Sequence, residues 1–303
     1  MDLEHLHVTA NGLRMHVAAC GPANGQPVVF LHGFPEGWMS WRAVMQRLGE
    51  HYRCYAPDLR GYGETDKPAD GYDVVSLTDD VVGLVEALRM QSPILVGHDW
   101  GGALAWIYGH RFGRSLRHLV VVNCTHPRTL FRGVVQGRAG QHRKSWYMLA
   151  FQAPGVPERL MVADHARLLR QGFVHLEGRP GALDRAVVDE ICNRFRSAAD
   201  LRGPVNYYRQ YARMLLAPQG RELLRAIYSQ AIPCPVSLIW GDRDRALSQE
   251  LAQESHRDAG RDVAWHPMPG VGHFVSLEAP EALSAEIRAI AEATEITAPA
   301  PAE

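Results

Sequence analysis

The sequence predicts an α/β protein, a mostly parallel, doubly wound sheet into which an all-helical stretch is inserted. Two patterns carry this expectation. Short apolar runs alternate with amphipathic stretches over the first 126 residues, as repeated βαβ units do. From about Pro127 to about Leu224 the strand-like runs stop, and they resume at Cys234. One interrupted domain explains this better than two tandem ones, because two strands and a helix remain to be placed afterward. The expected boundaries are a core of residues 1–126 and 226–303, a helical cap over 127–225 and a flexible Ala/Pro-rich tail over about 293–303.

The expected strands are HLHVTA, LRMHVAAC, PVVFLHG, YRCYAPD, SPILVGHD, LRHLVVVN, CPVSLIWG and DVAWHPMP. After the first pair the runs are continuous rather than alternating, which suits strands covered on both faces. Between YRCYAPD and SPILVGHD, the stretch SLTDDVVGLVEALRM reads as a helix. Its apolar stripe is expected at Val81, Val82, Val85 and Leu88, with Ser76 or Thr78 as its cap. No internal repeat is visible.

Bulk properties exclude several function classes. With 303 residues, 46% hydrophobic and 21% charged, the chain has the composition of an ordinary globular protein, neither disordered nor fibrous. A net charge of -1 leaves no basic footprint for nucleic acid or an anionic membrane, so small neutral partners are expected. Cys20, Cys54, Cys124, Cys192 and Cys234 are odd in number with no CxxC pair and read as reduced thiols. The opening MDLEHLHVTANG lacks the apolar centre of a signal peptide, and a cytoplasmic location is the expectation.

The chemistry gathers after two of the strands. SPILV runs into Gly97-His98-Asp99-Trp100-Gly101, followed by a helix that Gly113 can end. This G-x-D-x-G spacing is that of a nucleophile elbow, a strand-to-helix turn so tight that its flanks must be small while the central side chain stands exposed. Leu31-His32-Gly33-Phe34-Pro35 follows an earlier strand. There the backbone N–H groups of Phe34 and Trp100 are placed to converge on one oxygen. His273, in the Gly-flanked loop Gly270-Val271-Gly272-His273-Phe274, follows the last strand and precedes a helix expected to begin near Glu278. Asp244 and Asp242 follow the strand PVSLIW. His32 and His98 read as residues that orient backbone, and Asp58 as a loop cap.

Five blocks together resemble the α/β-hydrolase superfamily and, within it, the soluble epoxide hydrolases. They are HGFPEGWMSWR, DLRGYGETDKP, GHDWGG, WGDRD and GVGHFVSLEAPEAL, in the usual order along the core. The resemblance implies that Asp99 is the nucleophile and His273 the base, with Asp244, the last residue of W-G-x-x-D, as the acid that orients it. It further implies two ring-opening tyrosines in the insertion. SWYMLAFQAPG places the first at Tyr147, and N-Y-Y-R at 206–209, where the family often has N-W-Y-R, places the second at Tyr208.

A carboxylate is already ionised at neutral pH, so Asp99 needs no base to attack a saturated carbon. The expected reaction is therefore opening of an epoxide to a vicinal diol through an alkyl ester on Asp99, which water activated by His273 and Asp244 then cleaves. Phe34, Trp100 and Phe151 are expected to line the substrate slot. No cofactor and no metal are needed. The expected partners are a small apolar epoxide and water, with no nucleic acid and no membrane; a homodimer is compatible with the reading, and detoxification is the role it suggests. A haloalkane or haloacid dehalogenase with the same triad is the first alternative. It is disfavoured because Phe34 stands where haloalkane dehalogenases usually have Asn, and Trp100 where fluoroacetate dehalogenases usually have Arg. A non-catalytic ligand-binding protein of this fold is the second, disfavoured because a binder has no use for a water-activating histidine.

Overall fold

The computed structural model describes residues 2–297. Its eight strands are β1 (Glu4–Ala10), β2 (Leu13–Cys20), β3 (Gln26–Leu31), β4 (Tyr52–Pro57), β5 (Ile94–His98), β6 (His118–Val122), β7 (Val236–Gly241) and β8 (Ala264–Met268). They form a single sheet in the order β1-β2-β4-β3-β5-β6-β7-β8. β1 and β2 are an antiparallel hairpin closed by Asn11-Gly12, both at positive φ as a two-residue hairpin turn requires. β2 also runs antiparallel to β4, and every later pairing is parallel. β5 and β6 are buried along their whole length, which is why those runs carry no polar alternation.

Helices α1 (Arg42–Leu48), α2 (Val74–Ala87) and α3 (Trp100–Phe112) fill the crossovers. Helix α2 is capped by Asp73, whose carboxylate accepts from the N–H groups of Val75 and Ser76. The sequence expectation of Ser76 or Thr78 fails because the helix begins before them, and Thr78 instead donates to Val74 O within its first turns. The buried stripe shifts accordingly to Val74, Leu77, Val81 and Leu84, leaving Val82, Val85 and Leu88 half-buried at its margin. Helix α3 does end at Gly113, but that residue has φ -57 and a short 3-10 turn follows. Space, not backbone freedom, calls for glycine there: a Cβ would meet the Pro233 ring.

Between β6 and β7 the described chain is helical throughout: α4 (Pro127–Val135), α5 (Gln141–Lys144), α6 (Trp146–Ala150), α7 (Val156–Leu176), α8 (Arg185–Cys192), α9 (Ala198–Leu216) and α10 (Pro218–Ile227). After β7 come α11 (Gln249–Gln253) and α12 (Ser255–Ala259), and after β8 come α13 (Val275–Glu278) and α14 (Pro280–Thr297). The helix expected to begin near Glu278 is α14, which starts at Pro280, and the one-turn α13 lies between it and His273. The expected tail over about 293–303 is helical as far as Thr297, and residues 298–303 lie outside the described part. All five cysteines are free and buried.

This topology fixes where ligands can bind. From β3 the chain crosses to β4 on one side and then returns to β5 on the other, so the loops after β3 and β5 diverge and leave a crevice at the strands' carboxyl ends. Register sets those ends side by side: Leu31 pairs with Gly97, bringing Phe34 and Asp99 together across the crevice.

Candidate active site

Asp99 sits between the last residue of β5 and the first of α3, with φ 48 and ψ -117. A non-glycine residue with positive φ outside the ordinary left-handed region is strained, and such strain is tolerated where the surroundings over-determine it. Glycines on both flanks permit it. A Cβ on Gly97 would strike the Gly101 carbonyl, and one on Gly101 would strike Leu31 O. Asp99 Oδ1 accepts from the Phe34 N–H at 2.9 Å. Trp100 opens α3, so its backbone N–H is one of the first-turn donors that lack an intrahelical partner.

Oδ2 of Asp99 faces His273 Nε2 at 3.7 Å, and His273 Nδ1 lies 2.9 Å from Asp244 Oδ2. An ionised carboxylate only accepts, so the Nδ1 proton belongs to His273. Asp244 is itself held on both oxygens. Oδ1 accepts from the N–H groups of Ala246 and Leu247, and Oδ2 from Asn123 Nδ2 at 2.8 Å. Asp242, the rival acid, points elsewhere and accepts from Gly270 N–H.

Charge coupling tunes the three groups. Burial pushes the His273 pKa down, but Asp244 and then Asp99 outweigh it and hold the imidazole well above its ordinary value. Burial likewise pushes both carboxylates up, but His273 together with His98 and Phe34 N–H at Asp99, and with Leu247 N–H and Asn123 at Asp244, leaves each below the usual carboxylate range. The sign for stability follows. The imidazolium–carboxylate contacts stabilise the fold fully below the unfolded histidine value of 6.5 and lose that contribution as pH rises through the higher folded value. On the acid side, the carboxylates' contribution disappears as pH falls through their lowered values.

Across from Asp99 stand the two insertion tyrosines. Tyr147 lies on α6 and Tyr208 on α9, their rings 5.8 Å apart, and both phenols line the cavity that contains Asp99. Burial, followed for Tyr147 by the Asp99 charge and for Tyr208 by Tyr147 and Asp99, raises both pKa values. The hydroxyls therefore stay protonated at neutral pH. Trp100 stacks edge-on to Tyr208 at 5.0 Å and lines the same cavity. Phe34 and Phe151, expected as slot residues, stand beside the cavity against Tyr208. Their rings pack on Tyr208 at 5.4 and 5.0 Å and brace it, while the cavity wall is made by residues such as Ile107, Leu130, Met148, Tyr211 and Leu247. Tyr207, one residue before Tyr208, turns away and donates to Arg60 O.

Several positioning residues escape a reading of the sequence. Asn123 follows the apolar run of β6 and ties Asp244 to Gly241 N–H and to Gly272 O. A polar residue closing a strand that ends in the crevice was the available signal. Glu36 accepts from Gly33 N–H and pairs with His98, whose other ring nitrogen meets His273 O. His98 thus does orient backbone, as expected, but that of the catalytic loop. His32 bridges Gly33 O and Leu59 N–H. Asp58 does more than cap a loop: it is buried and joins His16 of β2 to Arg194 of the insertion. Arg209, last residue of the N-Y-Y-R block, donates to Phe151 O, Ala153 O and Glu158, locking the segment that follows Tyr147. Apart from the local contacts of Glu36 and His32 with Gly33, these pairings are not visible in a chain read linearly, because each joins residues far apart in sequence.

The comparisons with known proteins converge on one family. The model of the alpha/beta hydrolase fold family matches residues 26–280. Epoxide hydrolase 3 of Mus musculus is 32% identical over 278 residues, covering 90% of this chain and 72% of its own. The AB hydrolase superfamily protein YfhM of Bacillus subtilis is 34% identical, covering 82% of this chain and 85% of its own. Among solved structures, epoxide hydrolase VrEH1 from Vigna radiata superposes with a TM-score of 0.79 at 29% identity, covering 96% of this chain and 98% of that one. An aspartate at a strained elbow, a histidine held by a second aspartate and a fold shared at this level over nearly the whole chain place the protein in the epoxide hydrolase family of the α/β hydrolases.

Proposed function

We propose that the protein opens a small apolar epoxide to a vicinal diol in two steps centred on Asp99, under a cap formed by residues 127–225 on a core of 1–126 and 226–303. The observation that carries this reading is the opposition of Asp99 to two phenols, one buried and one half-buried, within one narrow cavity. Asp99 Oδ2 attacks a ring carbon and forms an ester as the C–O bond breaks. The departing oxygen takes a proton from Tyr147 or Tyr208 and keeps a hydrogen bond from the other. Halide needs no proton on leaving, so this pair of donors favours an epoxide over a haloalkane.

Esterification removes the Asp99 charge, and with it one of the two carboxylates that keep His273 protonated. The imidazole pKa falls, its proton passes through water to the tyrosinate left by ring opening, and His273 becomes a neutral base able to take a proton from water. Hydroxide adds to the ester carbon, and the resulting oxyanion, at the former Oδ1, is held by the N–H groups of Phe34 and Trp100. Collapse expels the alkoxide carrying the attacking oxygen of Asp99, which takes the remaining proton of the added water to become the diol, and the water oxygen stays in the regenerated carboxylate. Tyrosine and histidine return to their starting protonation states. The reaction consumes one epoxide and one water and uses no cofactor.

The test is turnover of a panel of styrene-type, aliphatic and terpene epoxides followed by diol analysis. Tyr147→Phe and Tyr208→Phe are each expected to lower kcat/KM by about 10²-fold or more, with the double variant near inactive. Unchanged diol formation in the double variant excludes the phenols as donors. Chloride or fluoride release from halogenated analogues, without diol from any epoxide, assigns the site to dehalogenation instead.

A further inference from the structure

The near-zero net charge hides a separation. Residues 127–225 carry seventeen Lys/Arg against eight Asp/Glu, whereas the rest of the chain carries fifteen against twenty-five. The insertion is strongly cationic and sits on an anionic core. Exposed apolar groups follow the same division: among the described residues, the large hydrophobic side chains that stand out in solvent all lie between Phe131 and Leu223.

The two features meet on α6. Tyr147 and Met148 line the Asp99 cavity, and helical geometry turns Trp146 and Leu149 to the opposite side, where they are 68% and 79% exposed. The wall over the nucleophile therefore has an apolar outer surface. Val156 and Leu160, one turn apart at the start of α7, are exposed as well. Arg143 and Arg159 flank this stretch in sequence, both exposed and both without a carboxylate partner among the described residues. An indole and aliphatic side chains bounded by unpaired arginines suit a lipid–water boundary, with the ring at headgroup level, the aliphatic groups below it and the guanidiniums on lipid phosphates.

We propose that this face, formed by α6 and the first turns of α7, docks on an anionic lipid surface. Charge complementarity selects that occupant. A two-fold contact between two such faces sets Arg143 and Arg159 against like charges, whereas a bilayer rich in anionic headgroups attracts these unpaired arginines. Docking is peripheral, since no described helix is long and apolar enough to cross a membrane. Combined with the epoxide reading above, it sets the Asp99 cavity one helix away from a reservoir of lipophilic substrate. The docking itself does not depend on that reading.

Sedimentation of the full chain with vesicles of phosphatidylcholine, alone or mixed with phosphatidylglycerol, tests the proposal without any turnover assay. The protein is expected to pellet with the anionic vesicles, with a blue-shifted indole emission, and to be released by high salt. Leu149→Asp, and separately Arg143→Glu with Arg159→Glu, should weaken partitioning by about tenfold or more while leaving the melting temperature unchanged. Leu160→Asp, on the other helix, takes the place of Leu149→Asp if that variant melts early. The proposal is overturned by wild type that stays in the supernatant, by equal binding to both vesicle types, or by variants that bind like wild type. A concentration-dependent dimer that Leu149→Asp abolishes also overturns it and gives the face to a second copy. Because binding is read directly, its failure leaves the epoxide reading standing, and inactivity toward epoxides leaves a vesicle result standing.

Discussion

Asp99→Asn is expected to lower kcat by about 10⁴-fold or more, the loss seen when the central member of a covalent catalytic unit is removed. Asparagine keeps the shape of the carboxylate, and the flanking glycines that permit φ 48 and ψ -117 are unchanged, so the elbow should survive. Its carbonyl oxygen can still accept from Phe34 N–H. What disappears is the negative charge and the lone pair that attacks carbon, because an amide is neutral and poorly nucleophilic. His273 loses one of its two carboxylate neighbours at the same time, so its titration should move downward. Steady-state kinetics together with thermal melts separate the effects: a folded variant retaining more than about a hundredth of wild-type activity excludes Asp99 as the attacking group.

His273→Gln should divide the reaction in two. Alkylation of Asp99 needs no base, so a first equivalent of epoxide is consumed, but the ester then persists because no group remains to deprotonate water. Expected results are loss of steady-state turnover by about 10³-fold or more and a mass increase equal to one substrate on the intact protein, located on Asp99 after digestion. The wild-type pH dependence follows from the same residue. Ester cleavage requires neutral imidazole, so the rate of that step should fall as pH drops through the His273 pKa of the alkylated enzyme, while the alkylation step is far less sensitive over that range. An unmodified His273→Gln protein, inactive with epoxide present in excess, contradicts a role confined to the second step.

The elbow at Asp99 and the loop at His273 were legible in the sequence because both are local. A strand, a run of small residues and one reactive side chain are contiguous, and steric necessity leaves few ways to fold them. The eight strands were legible for a related reason, since burial on both faces writes itself as uninterrupted apolar residues. The start of α2 was not, because Asp73 competes with Ser76 and Thr78 through its backbone conformation, which the residue type alone does not settle. Asn123, Glu36 and Arg209 were hidden for a different reason. Each acts by a hydrogen bond to a residue brought close only by the sheet order or by the packing of α9 on the segment after α6. The charge separation was plainly present in the composition, and a sum over the whole chain concealed it.

The covalent step at Asp99 is tested most directly by a single turnover in water enriched with heavy oxygen, with enzyme in excess over epoxide. The diol released should contain no heavy oxygen, because its new hydroxyl comes from the Asp99 carboxylate, and the peptide bearing Asp99 should gain one heavy oxygen atom. A diol labelled from solvent in that first turnover, with Asp99 unlabelled, means water attacked the epoxide directly and contradicts the ester.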